Sequence, residues 1–176
     1  MLFRSGARTK FEESLADWPK GKLREDSFHL AALAALSGDK LDDAERLEKA
    51  YQTEFPNGRL RMRQTILEAR IEIARGVAAD RRGQRDEAAR RFAGAEKSLD
   101  QVARQSEIES TRLQARFFWS EALLKQANYA KALEVSQPVA EAVAARRTGG
   151  EYTEVFAQRA VALVEEAKAL ARQKKP

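Results

Sequence analysis

Gly76-Val77-Ala78-Ala79-Asp80-Arg81-Arg82-Gly83-Gln84-Arg85-Asp86-Glu87-Ala88-Ala89-Arg90-Arg91-Phe92-Ala93-Gly94-Ala95 reads as helix, break, helix, and this stretch decides the fold. Gly83 is a residue that stops a helix in the left-handed conformation. Asp86 and Glu87 follow it in what becomes a first helical turn, where carboxylates favour the helix dipole. Ala88, Phe92 and Ala95 then recur at the spacing of one helical face. The same design occurs twice more. Gly38-Asp39-Lys40-Leu41-Asp42-Asp43-Ala44 precedes it and Ala127-Asn128-Tyr129-Ala130-Lys131-Ala132 follows it. The alanines Ala44, Ala88 and Ala132 are each 44 residues apart. The first copy reads as having one extra residue in its turn, and the third has Ala127 where a glycine is expected.

A second echo is independent of the first. Trp18-Pro19-Lys20-Gly21-Lys22-Leu23-Arg24 parallels Phe55-Pro56-Asn57-Gly58-Arg59-Leu60-Arg61. Each is an aromatic helix end, a proline that cannot continue the helix, a glycine turn and a new basic helix start. Between these marks the apolar periodicity predicts helices over 10–18, 23–37, 41–55, 59–82, 85–105, 108–126, 129–146 and 152–173. Thr9 and Glu12 stand in capping-box spacing before the first. Pro138 falls inside the seventh, where it removes one backbone hydrogen bond and favours a kink near Glu134. Thr148-Gly149-Gly150 is a break.

The organisation expected is a remnant of a preceding repeat over 1–22, a helical-repeat domain over 23–173 and a frayed tail over 174–176. Leu2-Phe3-Arg4-Ser5 is also one reading-frame translation of a widely used sequencing adapter. A longer chain preceding Met1 is therefore the expectation, with Phe11 and Leu15 forming an apolar edge open to self-association.

Composition narrows the chemistry. Hydrophobic residues make up 43% of the 176, enough for a core, and charged residues 34%, as in long amphipathic helices. There is no cysteine and a single histidine, His29, so thiolate metal sites, disulfides and paired-histidine sites are excluded. No Gly-rich phosphate loop or Gly-x-Ser-x-Gly elbow is present. Adjacent acids such as Glu165 and Glu166 point apart on a helix. A non-enzymatic protein without cofactor or metal is expected. The net charge of +5 is uneven: −2 over 1–57, +4 over 58–107 and +3 over 108–176. No apolar run reaches the ~20 residues of a membrane span, and no signal peptide opens the chain. A cytoplasmic location is expected.

The residues Gly76, Gly83, Asp86, Glu87, Ala88, Phe92 and Ala95 resemble the tetratricopeptide-repeat (TPR) superfamily, in a long-helix variant. Tyr129 and Ala132 keep part of the pattern, with Ser136 where the aromatic belongs, and Gly38, Ala44 and Pro56 keep another part. The resemblance implies an all-α, TPR-like α-solenoid of stacked antiparallel helix pairs whose concave groove binds a peptide or partner helix. It implies a scaffold or adaptor module, here the C-terminal part of a larger bacterial regulatory protein. The carboxylate clamp that some members use for chaperone tails is missing. The corresponding positions hold His29 and Leu33, Ile73 and Val77, and Phe117 and Glu121.

The candidate site follows from the helix beginning near 59. At 100° per residue, Arg61, Gln64, Glu68, Glu72 and Arg75 share one face, read as solvated. Arg59, Arg63, Arg70 and Arg81 share another, among Ile66, Ala74 and Val77. Arginine on a mixed apolar stripe costs free energy unless it is paired or faces a groove. One reading is a partner-binding stripe of Arg63, Arg70 and Arg81 holding an acidic peptide over Ile66, Ile73 and Val77, with Phe117 and Glu121 nearby. The other is intramolecular pairing or snorkelling. A nucleic-acid-binding α-repeat using the same arginines is the alternative function. Phe117-Phe118-Trp119 spreads over ~200° of its helix and is read as core packing to both sides. His29, on a helix apolar all round, is read as a structural residue.

Overall fold

The computed structural model describes Lys10, Glu13, residues 23–145 and residues 154–173, with side chains in the last helix described from 161 onward. The helix expected over 10–18, the Trp18-Pro19 turn, the Thr148-Gly149-Gly150 break and the tail 174–176 lie outside them. Among the described residues the chain is helical and without strands. It forms α1 (Arg24–Ser37), α2 (Leu41–Glu54), α3 (Arg61–Arg81), α4 (Arg85–Gln105), α5 (Glu109–Lys125), α6 (Tyr129–Ala144) and α7 (Glu154–Gln173). These bounds follow the expected ones closely. α6 runs through Pro138 without a break.

The three short turns share one geometry at a constant spacing. Asp39, Gly83 and Ala127 all have positive φ, at 60°, 74° and 57°. In each, the next residue reaches back across the turn. Lys40 N–H donates to Ala35 O at 3.0 Å, Gln84 N–H to Ala79 O at 3.0 Å and Asn128 N–H to Leu123 O at 2.9 Å. This is the Schellman ending, which satisfies the last carbonyls of the helix. The turn residues are 44 apart, in register with Ala44, Ala88 and Ala132. The first turn therefore has no extra residue. Its left-handed position is filled by Asp39, and Gly38 stands one place earlier.

Packing is local. Each helix contacts its sequence neighbours, and the odd helices also meet in series, α1 with α3, α3 with α5 and α5 with α7. The backbones of the even helices do not come close to one another. Their buried residues say why. α2 buries Ala44, Leu47, Glu48 and Tyr51, and α6 buries Ala132, Val135, Ser136, Val139 and Ala142, each a single stripe. α3 and α5 are buried on more than one side. Ala44, Ala88 and Ala132 are 0%, 3% and 0% exposed, equivalent points where an even helix closes on its partner. α4 closes tightly on α3 at Gly76, where an added β-carbon would come within 2.6 Å of the Phe92 ring.

Two hydrophobic cores result. One holds Phe28, Ala31, Ala32, Ala35, Ala44, Leu47 and Tyr51 with Leu60, Leu67 and Ile71. The other begins at Ile66, Ala69 and Ile73 and continues to Ala167. Phe117, Phe118 and Trp119 all belong to the second, as expected of a helix packed to several sides. Left-handed backbone costs a residue with a β-carbon roughly 1–2 kcal/mol, partly offset because glycine loses more entropy on folding. Gly83→Ala should therefore lower stability by about 0.5–1 kcal/mol, and Ala127→Gly should raise it by a similar amount. Urea denaturation midpoints of the two variants check both signs.

Candidate functional site

The odd helices meet in series, and their shared surface carries the residues singled out from the sequence. A cavity of ≈ 350 Å³ opens between α3, α5 and α7. Ile73, Phe117, Leu124, Leu163 and Leu170 supply its apolar wall, and Glu121, Lys125 and Glu166 its charged rim. Ile73, Phe117 and Glu121 are thus brought together. Phe117 contributes from within the core, being 2% exposed and stacked edge-on against Phe118 with ring centroids 5.1 Å apart.

The arginines of the stripe have different surroundings. α3 starts at Arg61, so Arg59 lies in the preceding turn, ion-paired with Asp26. Arg63 lines a different hollow of ≈ 600 Å³, with Leu60, Met62, Ile108 and Thr111. Arg70 is half-buried and lies over the Phe118 ring, 4.5 Å from its centroid. Arg81 is exposed in the last turn of α3. Val77 is half-buried against the second core. Ile66, read as part of a groove floor, is 2% exposed and lies inside that core.

The face read as solvated is also different. Arg61 and Glu68 are exposed, but Gln64 is 3% exposed. Glu72 accepts from Arg91 of α4 at 2.8 Å. Arg75 pairs with Asp42 and, at 3.1 Å, with Glu45, both of α2. The long side chains bridge neighbouring helices, which a single-helix projection cannot show.

His29 is held by structure. Its Nδ1 lies 2.9 Å from Gln64 Oε1, the geometry of an N–H donor to an amide oxygen. Burial pushes its pKa below the ordinary histidine range, and the charges of Arg63 and Arg70 push it further. Gln64 and Asp26 oppose the shift without reversing it. A base depressed in this way contributes stability that is present above its unfolded pKa and fades as pH falls through its folded pKa.

Two features carried no sequence signal. Glu48, in the buried stripe of α2, is 4% exposed. Lys131 of α6 pairs with Glu96 of α4 and sits 5.4 Å from the centroid of the Trp119 ring in α5, tying three helices together. Among the described residues no group of three or more His, Cys, Asp or Glu is placed to hold a metal ion. No described helix is long and apolar enough to cross a membrane.

Compared with protein-family models, with curated proteins and with solved structures, the chain matches none. The TPR resemblance therefore rests on the residues quoted for it.

Arg70 acts on both Phe118 and His29. Arg70→Ala should raise the His29 pKa toward the ordinary range and lower stability by about 0.5–1 kcal/mol through loss of the cation–π contact. Because His29 is the chain's one histidine, its ring protons report the titration without assignment. An unchanged pKa together with an unchanged melting transition would place Arg70 away from both.

Proposed function

We propose that the chain is a non-catalytic interaction module, a TPR-like α-solenoid that holds a peptide or partner helix along the surface of its odd helices. The observation that carries this reading is the contact pattern. The backbones of the odd helices approach one another in series while those of the even helices do not, so the odd side is the tighter, inner side of the stack. A groove of this kind is the natural seat for an extended or helical ligand. The cavity between α3, α5 and α7 lies on that side and has the chemistry of an anchor pocket, apolar within and charged at the rim.

The ligand has an apolar side chain that enters beside Ile73, Phe117 and Leu170. Glu121 and Glu166 against Lys125 leave little net charge at the cavity itself. The alternative of a nucleic-acid face gains little from several of the arginines. Arg59, Arg75 and Arg91 are committed to acids of neighbouring helices and Arg70 to an aromatic ring, whereas nucleic-acid binding wants a dense basic surface open to phosphates.

A displayed peptide library panned against the chain tests the proposal. Leu124 is half-buried and Ala162 exposed at the cavity, so Leu124→Glu and Ala162→Glu alter the pocket without opening the core. Each should weaken the selected peptides roughly tenfold or more with unchanged far-UV circular dichroism. Peptides indifferent to both substitutions would exclude the cavity. Steeply salt-dependent capture of DNA or RNA, with no peptide selected, would favour the alternative.

A further inference from the structure

Glu48 of α2 is 4% exposed, and its Oε1 has no hydrogen-bond partner. Across the seam in α3, Gln64 is 3% exposed and its Nε2 is likewise unsatisfied. Such groups cost free energy wherever they are buried. Beside Gln64 a hollow of ≈ 290 Å³ separates the end of α2, at Tyr51 and Phe55, from Thr65 and Glu68 of α3. The contact between α2 and α3 is also the slightest between any two consecutive helices. This seam joins a core built on α1 and α2 to α3, which carries the second core on its other side.

The charges around Glu48 are unfavourable to a carboxylate. Glu68 faces it from α3, and Glu45 adds to the repulsion from its own helix. Lys49 and a hydrogen bond from Gln52 oppose them. The charged residues that α1 brings to this region are engaged elsewhere: Arg24 with Glu54, Glu25 with Tyr51, Asp26 with Arg59 and His29 with Gln64.

We propose that the α2–α3 seam is a proton-operated joint: with a proton on Glu48 the α1–α2 pair is seated on α3, and loss of that proton loosens the pair from the rest of the chain. A neutral Glu48 carboxyl tolerates the dry seam. An ionised one is a buried charge set against a like charge, and parting the helices hydrates it.

The direction of the pH response follows. Burial first, and the Glu68 charge second, push the Glu48 carboxyl up to about 7. An acid whose folded pKa is raised contributes full stability below its unfolded value near 4.5, and that stability fades as pH climbs through about 7. The joint is therefore seated in mildly acidic solution and loosened above neutrality. His29 acts with the opposite sign, its depressed pKa weakening the same region as pH falls.

Amide hydrogen exchange on the whole chain between pH 5.5 and 8, corrected for intrinsic exchange rates, tests the joint. Protection in α1 and α2 should fall on the order of tenfold across this range, while protection in α4 to α6 stays level. Glu48→Gln should abolish the fall. Glu68→Gln, which leaves Glu48 in place and removes the facing charge, should reduce it, and this variant decides the matter if Glu48→Gln does not fold. Protection in α1 and α2 that is flat with pH overturns the proposal. So does a fall shared equally by α4 to α6, or one that survives the substitution that folds.

Discussion

Helix α3 is apolar on two opposite sides, and each side closes a different hydrophobic core. At 100° per residue, Leu60, Leu67 and Ile71 point one way and Ile66, Ala69 and Ile73 the other. Neither core closes without it. Burying one large aliphatic side chain contributes about 1.5–3 kcal/mol, so a helix sharing several such residues with each neighbour is tied firmly to both. The approach of α4 to α3 depends on an absence of bulk, since the Phe92 ring occupies the space that a side chain at Gly76 would need. The remaining geometry follows from this sandwich. α3 and α5 are buried on more than one side, whereas α2 and α6 are buried along a single stripe.

The charged residues complete this packing. Arg75 reaches α2 and Arg91 reaches α3, while Arg24 links the two ends of the first helix pair. Exposed pairs of this kind contribute at most about 1 kcal/mol each, less than one buried leucine. Their role is register along the stack, and they draw down the basic charge that the composition shows in excess. A surface committed in this way leaves shape and apolar area, more than charge, to recognise a partner.

Helix boundaries and the 44-residue repeat were legible in the sequence because each is written locally. Gly83, Pro56 and the first-turn acids act within a few residues of themselves, and Ala44, Ala88 and Ala132 mark one recurring contact. The true register of the first turn was not legible. Asp39 adopts the left-handed position that Gly38, one residue earlier, advertises. The candidate site was only partly readable. Ile73, Phe117 and Glu121 do meet at one cavity, because α3 and α5 bring them to the same level. The separate surroundings of the stripe arginines and the burial of Gln64 and Glu48 were not readable, for one reason. A projection down a single helix shows which residues share a face, but not that α3 has neighbours on both sides. The environment of a polar residue in this fold is set by the next helix, some thirty residues away.

The central claim is that the stack is held by contacts between nearby helices, with α3 able to serve each core separately. The most direct test is a shortened chain beginning at Arg59, which lacks α1 and α2. Every residue of the second core lies at Ile66 or beyond, so this chain should keep the helical content of α3 to α7 and melt in one cooperative transition, at a temperature lowered by the exposed Leu60, Leu67 and Ile71. Loss of helical structure throughout, or a melt without a cooperative transition, would mean that the second core depends on distant parts of the chain and would contradict the account.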